Sequence, residues 1–276
     1  MKTLILIISL LIVGSIELQA QNQTINGNLL IVGKVKSDSA GSTNYGANAT
    51  SLGVGNTSSG PNAVALGSNN ISNGNSSLAF GATNQALAEY AAAIGVGNVA
   101  NGIRSSAIGT YNTTTGSYSV AYGATNTITS AGTYAVAIGT QNTTPADQAK
   151  AFGYLNNVTG VQATAVGNSN AASGTGAIAL GNSLTTGVLN SVVIGQFNAA
   201  LTGSATVYAP TDPLFVIGNG TSTSARLNAL TVLKNGKVGI GTTTAPTAQL
   251  EVKGVVKVLP GGDLTMGTFT AGTAPQ

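Results

Sequence analysis

Residues 62–70, Asn-Ala-Val-Ala-Leu-Gly-Ser-Asn-Asn, decide the fold, because the same pattern returns fourteen residues on and keeps returning. The repeat glycine stands at Gly53, Gly67, Gly81, Gly95, Gly109, Gly123, Gly139, Gly153, Gly167, Gly181 and Gly195. Nine of the ten intervals are fourteen residues long and the tenth, Gly123 to Gly139, is sixteen. Self-similarity at a fixed short period identifies a solenoid before any local propensity is consulted. The two extra residues are expected in a turn, around Thr129 to Gly132.

Each column of the repeat has a physical reading. The sites one and three before the glycine are mostly large and apolar, as in Val64/Leu66, Leu78/Phe80, Val120/Tyr122, Val136/Ile138, Ile178/Leu180 and Val192/Ile194. The site between them is small, Ser51 and then Ala from Ala65 to Ala179, with Val193 last. Period-two alternation places these two sets on opposite faces of a short strand of four or five residues. One face is expected to fill a core and the other to permit close approach of backbone. The glycine is expected at a turn, with positive φ or against the neighbouring rung.

Three residues after it comes Asn (Asn56, Asn70, Asn84, Asn98, Asn112, Asn126, Asn142, Asn156, Asn170 and Asn198), a residue that tolerates a left-handed turn; Leu184 interrupts the column. A second glycine column, at Gly60, Gly74, Gly102, Gly116, Gly160 and Gly174, marks the opposite corner. Two turns per fourteen residues make one rung, and rungs stacked about 4.8 Å apart give a rod roughly 50 Å long. A coil this narrow buries little by itself, so association with further copies is expected to cover a face.

Composition narrows the chemistry. The 276 residues include no His, Cys or Trp, only ten Lys or Arg and only seven Asp or Glu. Without His or Cys there is no Ser-His or Cys-His nucleophile, no thiolate redox centre and no ordinary zinc site. Asp38, Asp147, Asp212 and Asp263 stand apart from one another, which offers no carboxylate cage for a hard cation. Neither a catalytic residue, a metal nor a cofactor is expected. Nucleic acid is not expected as a partner either, because phosphate recognition needs clustered cations and the roll between Ser51 and Asn198 carries only Glu89, Arg104, Asp147 and Lys150 as charges. Gly53-Val54-Gly55 and Gly95-Val96-Gly97 begin a phosphate-loop pattern, lack its third glycine and recur as repeat turns.

Residues 1–20 read as a secretory signal: Lys2 at the start, an apolar run from Leu4 to Val13, and Leu18-Gln19-Ala20 as cleavage site. The run is too short to span a bilayer core of about 30 Å, so no direct membrane span is expected after cleavage. Residues 21–48 form an N-terminal cap, in which Thr24 to Lys36 is a short β segment. The roll occupies 49–200, a C-terminal β module 201–259, and a flexible tail rich in Gly, Thr and Pro 260–276. In the module, Ala229 to Lys234, Asn235-Gly236 and Lys237 to Gly241 read as a hairpin with a type I′ turn. Leu250, Val252, Val256 and Val258 alternate with charged residues as one more half-buried strand.

The stretches 62–70, 117–126 (SYSVAYGATN), 134–142 (YAVAIGTQN) and 190–198 (NSVVIGQFN) resemble the head repeats of YadA-like trimeric autotransporter adhesins. The resemblance covers residues 51 to 198. It implies an all-β fold, a left-handed parallel β-roll with three chains side by side, and adhesion to matrix protein, glycan or another surface ligand by a secreted or cell-surface homotrimer. It also implies that the apolar pair around each Ala is core and that the Gly and Asn columns are turns. The family continues into a neck, a coiled-coil stalk and a four-stranded membrane anchor, whereas no heptad run or set of barrel strands follows Asn198 here. Residues 229–246 are similar to modules of secreted surface proteins and phage tail fibres, so a structural or receptor-binding fibre is the alternative function. An ice-binding solenoid would need regular Thr columns, and the sites four after the glycine run Thr57, Ile71, Gln85, Val99, Thr113.

One column stands out as a candidate binding site. Five residues before the glycine the sequence usually has Asn, Ser or Gln, but four consecutive rungs carry Tyr90, Arg104, Tyr118 and Tyr134. Stacking places them about 4.8 Å apart on one outer face. Such a ladder suits sugar rings or an extended peptide through aromatic and cation-π contacts, or stacks on itself and shields the coil.

Overall fold

The computed structural model describes residues 35–36, 41–200, 202–242, 244–257 and 259–260. The secretory signal, most of the N-terminal cap and the tail beyond residue 260 lie outside the described residues. Of the cap strand only Val35–Lys36 is described, and it pairs in parallel with Thr50–Ser51.

The described chain is a parallel β-solenoid. Eleven five-residue strands, from Thr50–Val54 to Val192–Gln196, each hold one repeat glycine in fourth place. They stack glycine on glycine in one sheet, as in Ser106↔Val120 and Gly109↔Gly123. Two-residue strands on the other side of the coil, such as Thr113–Thr114, form a second sheet of eleven strands. The sixteen-residue interval leaves the register intact, with Val120↔Val136 and Gly123↔Gly139 still opposed. Its extra residues are accommodated in the exposed turn after Thr129, which Gly132 closes by donating its N–H to Thr129 O at 2.9 Å.

The interior is the reverse of the expected one. The small column, Ala65 through Ala179, is completely buried, and so are the sites two residues earlier (Ala63, Ser77, Ala91, Ser105, Ser119). The large apolar side chains expected as core point outward: Phe80 is 50% and Tyr122 53% exposed, and Leu52, Ile138, Val166 and Leu180 are exposed with them. A fourteen-residue rung encloses a narrow lumen, filled mostly by methyl, hydroxyl and amide groups at protein packing density, with larger side chains inside only at a few sites such as Ile128, Val158, Leu184, Val188 and Val193. Alternation along the strand sends the large side chains one and three before the glycine outside.

The Asn column is likewise not the left-handed corner it was expected to be. The positive φ belongs to the residue before it, for example Asn69, Thr83, Tyr111, Thr125 and Gln141. The asparagines themselves point inward, fully buried, and build a hydrogen-bonded ladder through the coil. Asn112 Nδ2 donates to Ile108 O (2.9 Å), to Gly123 O (2.8 Å) and to Asn98 Oδ1 (3.1 Å). Asn112 Oδ1 accepts the backbone N–H and the Nδ2 of Asn126, at 3.0 and 2.9 Å. Both ends of each amide are thus satisfied without water, which makes a buried polar column tolerable. The ladder starts on Ser42 Oγ and stops at Leu184, whose N–H is the last to donate to it, on Asn170 Oδ1.

The repeat glycine is not the turn it was expected to be, since it lies within the strand as the fourth of five residues, but its positive φ and its contact with the next rung are as expected. At Gly109 φ is +117°, and a Cβ built there would overlap the carbonyl oxygen of Gly123 on the next rung.

After the last roll strand, Pro213–Asn219 extends the same sheet, parallel and with Gly195↔Gly218 in register. Asn228–Leu233 and Val238–Ile240 then form an antiparallel hairpin on it. The hairpin turn is not type I′: only Gly236 is left-handed (φ 84°), Asn235 is not, and Gly236 N–H donates to Leu233 O at 2.9 Å. This is a three-residue connection closed by a glycine bulge, a geometry in which Asn-Gly is equally at home. The final strand is Leu250–Val252, shorter than the alternation suggested, since Val256 is 62% exposed beyond it.

Candidate ligand-binding ladder

The corner column five before the glycine is left-handed on every rung, with φ of 55° at Tyr90, 56° at Arg104 and Tyr118, and 54° at Tyr134. Each corner N–H donates to a carbonyl one rung back, as Tyr118 N to Ile103 O (2.8 Å) and Tyr134 N to Ser117 O (3.0 Å). This lattice of backbone bonds holds successive corner side chains one strand spacing apart on the outside of the coil. The four candidate residues are therefore brought together, in sequence order, as one exposed row.

The row is a continuous stack. The Arg104 guanidinium carbon lies 5.4 Å from the ring centres of both Tyr90 and Tyr118. Arg104 Nη1 also donates to Tyr118 Oη at 3.0 Å. Tyr118 and Tyr134 are stacked with centroids 4.9 Å apart and planes inclined by 18°. The inner ring faces are consequently used within the row. What remains for a ligand is the row's edge, with its hydroxyls and free guanidinium protons, and the end faces of Tyr90 and Tyr134.

The flanks of the row were missed in the sequence, although a signal was there. All four charges of the roll fall at this one corner: Glu89 beside Tyr90, Arg104 in the row, and Asp147 and Lys150 on either side of Gln148, which continues the column above Tyr134. Asking where the few charges sit in the repeat, and not how many there are, would have found them. An open recess of about 420 Å³ lies at that upper end, lined by Tyr134, Gln148 and Lys150.

Among the described residues no group of three or more His, Cys, Asp or Glu side chains is placed to hold a metal ion. Among the described residues no helix is long and apolar enough to cross a membrane.

The family model of the YadA head domain repeat fits residues 45–70, 72–98, 100–125, 130–156 and 159–183. No curated protein matches the chain. YadA-type heads are trimeric, surface-exposed adhesin domains and not enzymes. The fourteen-residue columns, the in-register parallel rungs and this match agree, and residues 45–183 belong to the YadA head repeat family.

Proposed function

We propose that this chain is the head of an exported, homotrimeric adhesin that holds a glycan or matrix ligand along the Tyr90-Arg104-Tyr118-Tyr134 edge. Two faces of the coil support the reading. The outward apolar column, from Leu52 and Leu66 to Leu180 and Ile194, is a continuous strip that other copies of the chain would cover, since single exposed apolar residues are ordinary but contiguous strips mark interfaces. The ladder lies outside that strip, at the corner.

The observation that carries the binding role is the composition of the ladder. Left-handed corners recur on every rung, and Ser76, Gln148 and Gln162 fill the same column with small or polar side chains. Only Tyr90, Arg104, Tyr118 and Tyr134 place large aromatic or cationic groups there, on four consecutive rungs and exposed. Three stacking contacts return only about 0.5–1 kcal/mol apiece. A continuous exposed row of these residue types at corners that Ser and Gln also fill is the kind of surface that recognition uses. Threefold presentation would make such a weak site effective through avidity.

The double change Tyr118→Ser and Tyr134→Ser tests this, because Ser76 shows that the corner accepts serine. The variant should keep its melting temperature within a few degrees and lose most of its retention on a glycan- or matrix-coated surface. Undiminished retention would make the ladder structural.

A further inference from the structure

The upper end of the ladder carries chemistry that the row itself lacks. Tyr134 stacks one ring face on Tyr118; the opposite face looks toward the next corner, where Gln148 sits. Gln148 Nε2 is held by Asp147 Oδ2 at 3.0 Å, and Tyr134 remains 54% exposed beside it. The amide oxygen of Gln148 remains as an acceptor. Lys150 stands in an outward strand column whose other members, from Thr50 and Val64 through Ala92, Ser106 and Val136 to Thr164 and Ile178, are all uncharged, so an ammonium there is out of character. Its side chain is bent back over the corner, donating from Nζ to Gln148 O at 3.1 Å. Two ammonium protons are left over, and no carboxylate among the described residues forms an ion pair with Lys150. The three side chains line the recess of about 420 Å³, large enough for one pyranose ring.

We infer that this recess is a subsite for an anionic pyranose. The C–H face of the sugar lies on the free face of Tyr134, the acidic substituent meets Lys150 Nζ, and a ring hydroxyl donates to the Gln148 amide oxygen. The aromatic face of Tyr134 alone binds sugars with little regard to charge; Lys150 beside it adds a preference for acidic ones. The inference rests on the adhesin reading and specifies its ligand class.

Ligand-observed saturation-transfer NMR on the full chain tests it, using methyl glucoside, methyl glucuronide and the 6-sulfated glucoside as probes. Either acidic probe should bind up to about fivefold more tightly than the neutral one at low salt, the scale of one exposed ion pair, and the gap should shrink as salt is raised. The stronger acidic probe identifies carboxylate or sulfate as the preferred group. Lys150→Met should erase the gap while leaving neutral-probe binding and the melting temperature unchanged, and Tyr134→Ser should abolish binding of all three. Equal binding of neutral and acidic probes, or a gap that survives Lys150→Met, overturns the subsite while leaving the ladder reading intact. Absence of binding by all three probes also overturns it; the ladder reading would then stand or fall by surface retention of the double serine variant.

Discussion

The roll and the C-terminal hairpin that extends its sheet are held together by different means. In the roll, one backbone geometry is repeated and the same few contacts recur on each rung: glycine against glycine, asparagine onto asparagine. In the hairpin region nothing repeats, and single side chains act as locks. Lys234 Nζ and Asp212 Oδ2 form a buried pair 3.6 Å apart, with Lys234 Nζ 5.2 Å from the ring centre of Tyr208. Arg226 reaches back to the last rung and donates from Nη1 to Ser183 O (2.8 Å) and Asn198 O (3.2 Å). A repeat thus spreads its stability over many weak equivalent contacts, whereas its cap concentrates stability in a few unique ones.

Glycine separates the two regions most sharply. Gly109→Val combines an unfavourable φ with overlap on the Gly123 carbonyl, and no side-chain movement relieves a backbone clash. The loss should exceed about 4 kcal/mol, seen as a fall of at least about 10 °C in the thermal midpoint. Gly236→Ala, at φ 84° but with its nearest neighbour atom 3.8 Å away, should cost only about 1 kcal/mol. Similar losses at the two sites would mean that the rungs are not in the close contact described.

The buried ion pair gives the next largest effect. Lys234→Met leaves the Asp212 carboxylate buried without its partner and should cost about 3–5 kcal/mol, while Lys234→Met with Asp212→Leu should recover most of the loss. Denaturant titration of both variants checks it; a double variant as weak as the single one would show that the lock contributes more than charge balance.

In the roll, Asn112→Ala strips the amide from the Ile108 and Gly123 carbonyls and removes the acceptor of Asn126. The cost should be about 2–4 kcal/mol, because buried groups are left unpaired. Thermal denaturation measures it, and a loss under about 1 kcal/mol would show that the ladder is incidental.

How much of this was legible follows the same division. The period fixes rung length, strand position, register and the place of the insertion near Thr129, because a glycine that must stack on its own image cannot drift. Which face is inside was not legible. Val64-Ala65-Leu66 alternates equally well either way, and only the width of the closed coil decides that Ala65 is within. The inward turn of the asparagines was hidden for the same reason: a left-handed corner next to an Asn reads as the Asn's own until Asn69 and Thr83 are seen to carry it. The candidate row was readable from its column, and its self-stacking was one of the two readings the column offered, but the recess over Tyr134 depends on side-chain directions that spacing does not encode. In the hairpin, Asn235-Gly236 announces a turn and leaves its type open.

The central claim is that the coil is small inside and apolar outside, and that further copies of the chain cover the outward strip. Light scattering of the chain lacking residues 1–20, at micromolar concentration, tests it most directly. The expected mass is that of three chains, stable on dilution and lowered when Phe80 and Tyr122 are both replaced by Ser. A folded, soluble monomer at that concentration would contradict the account.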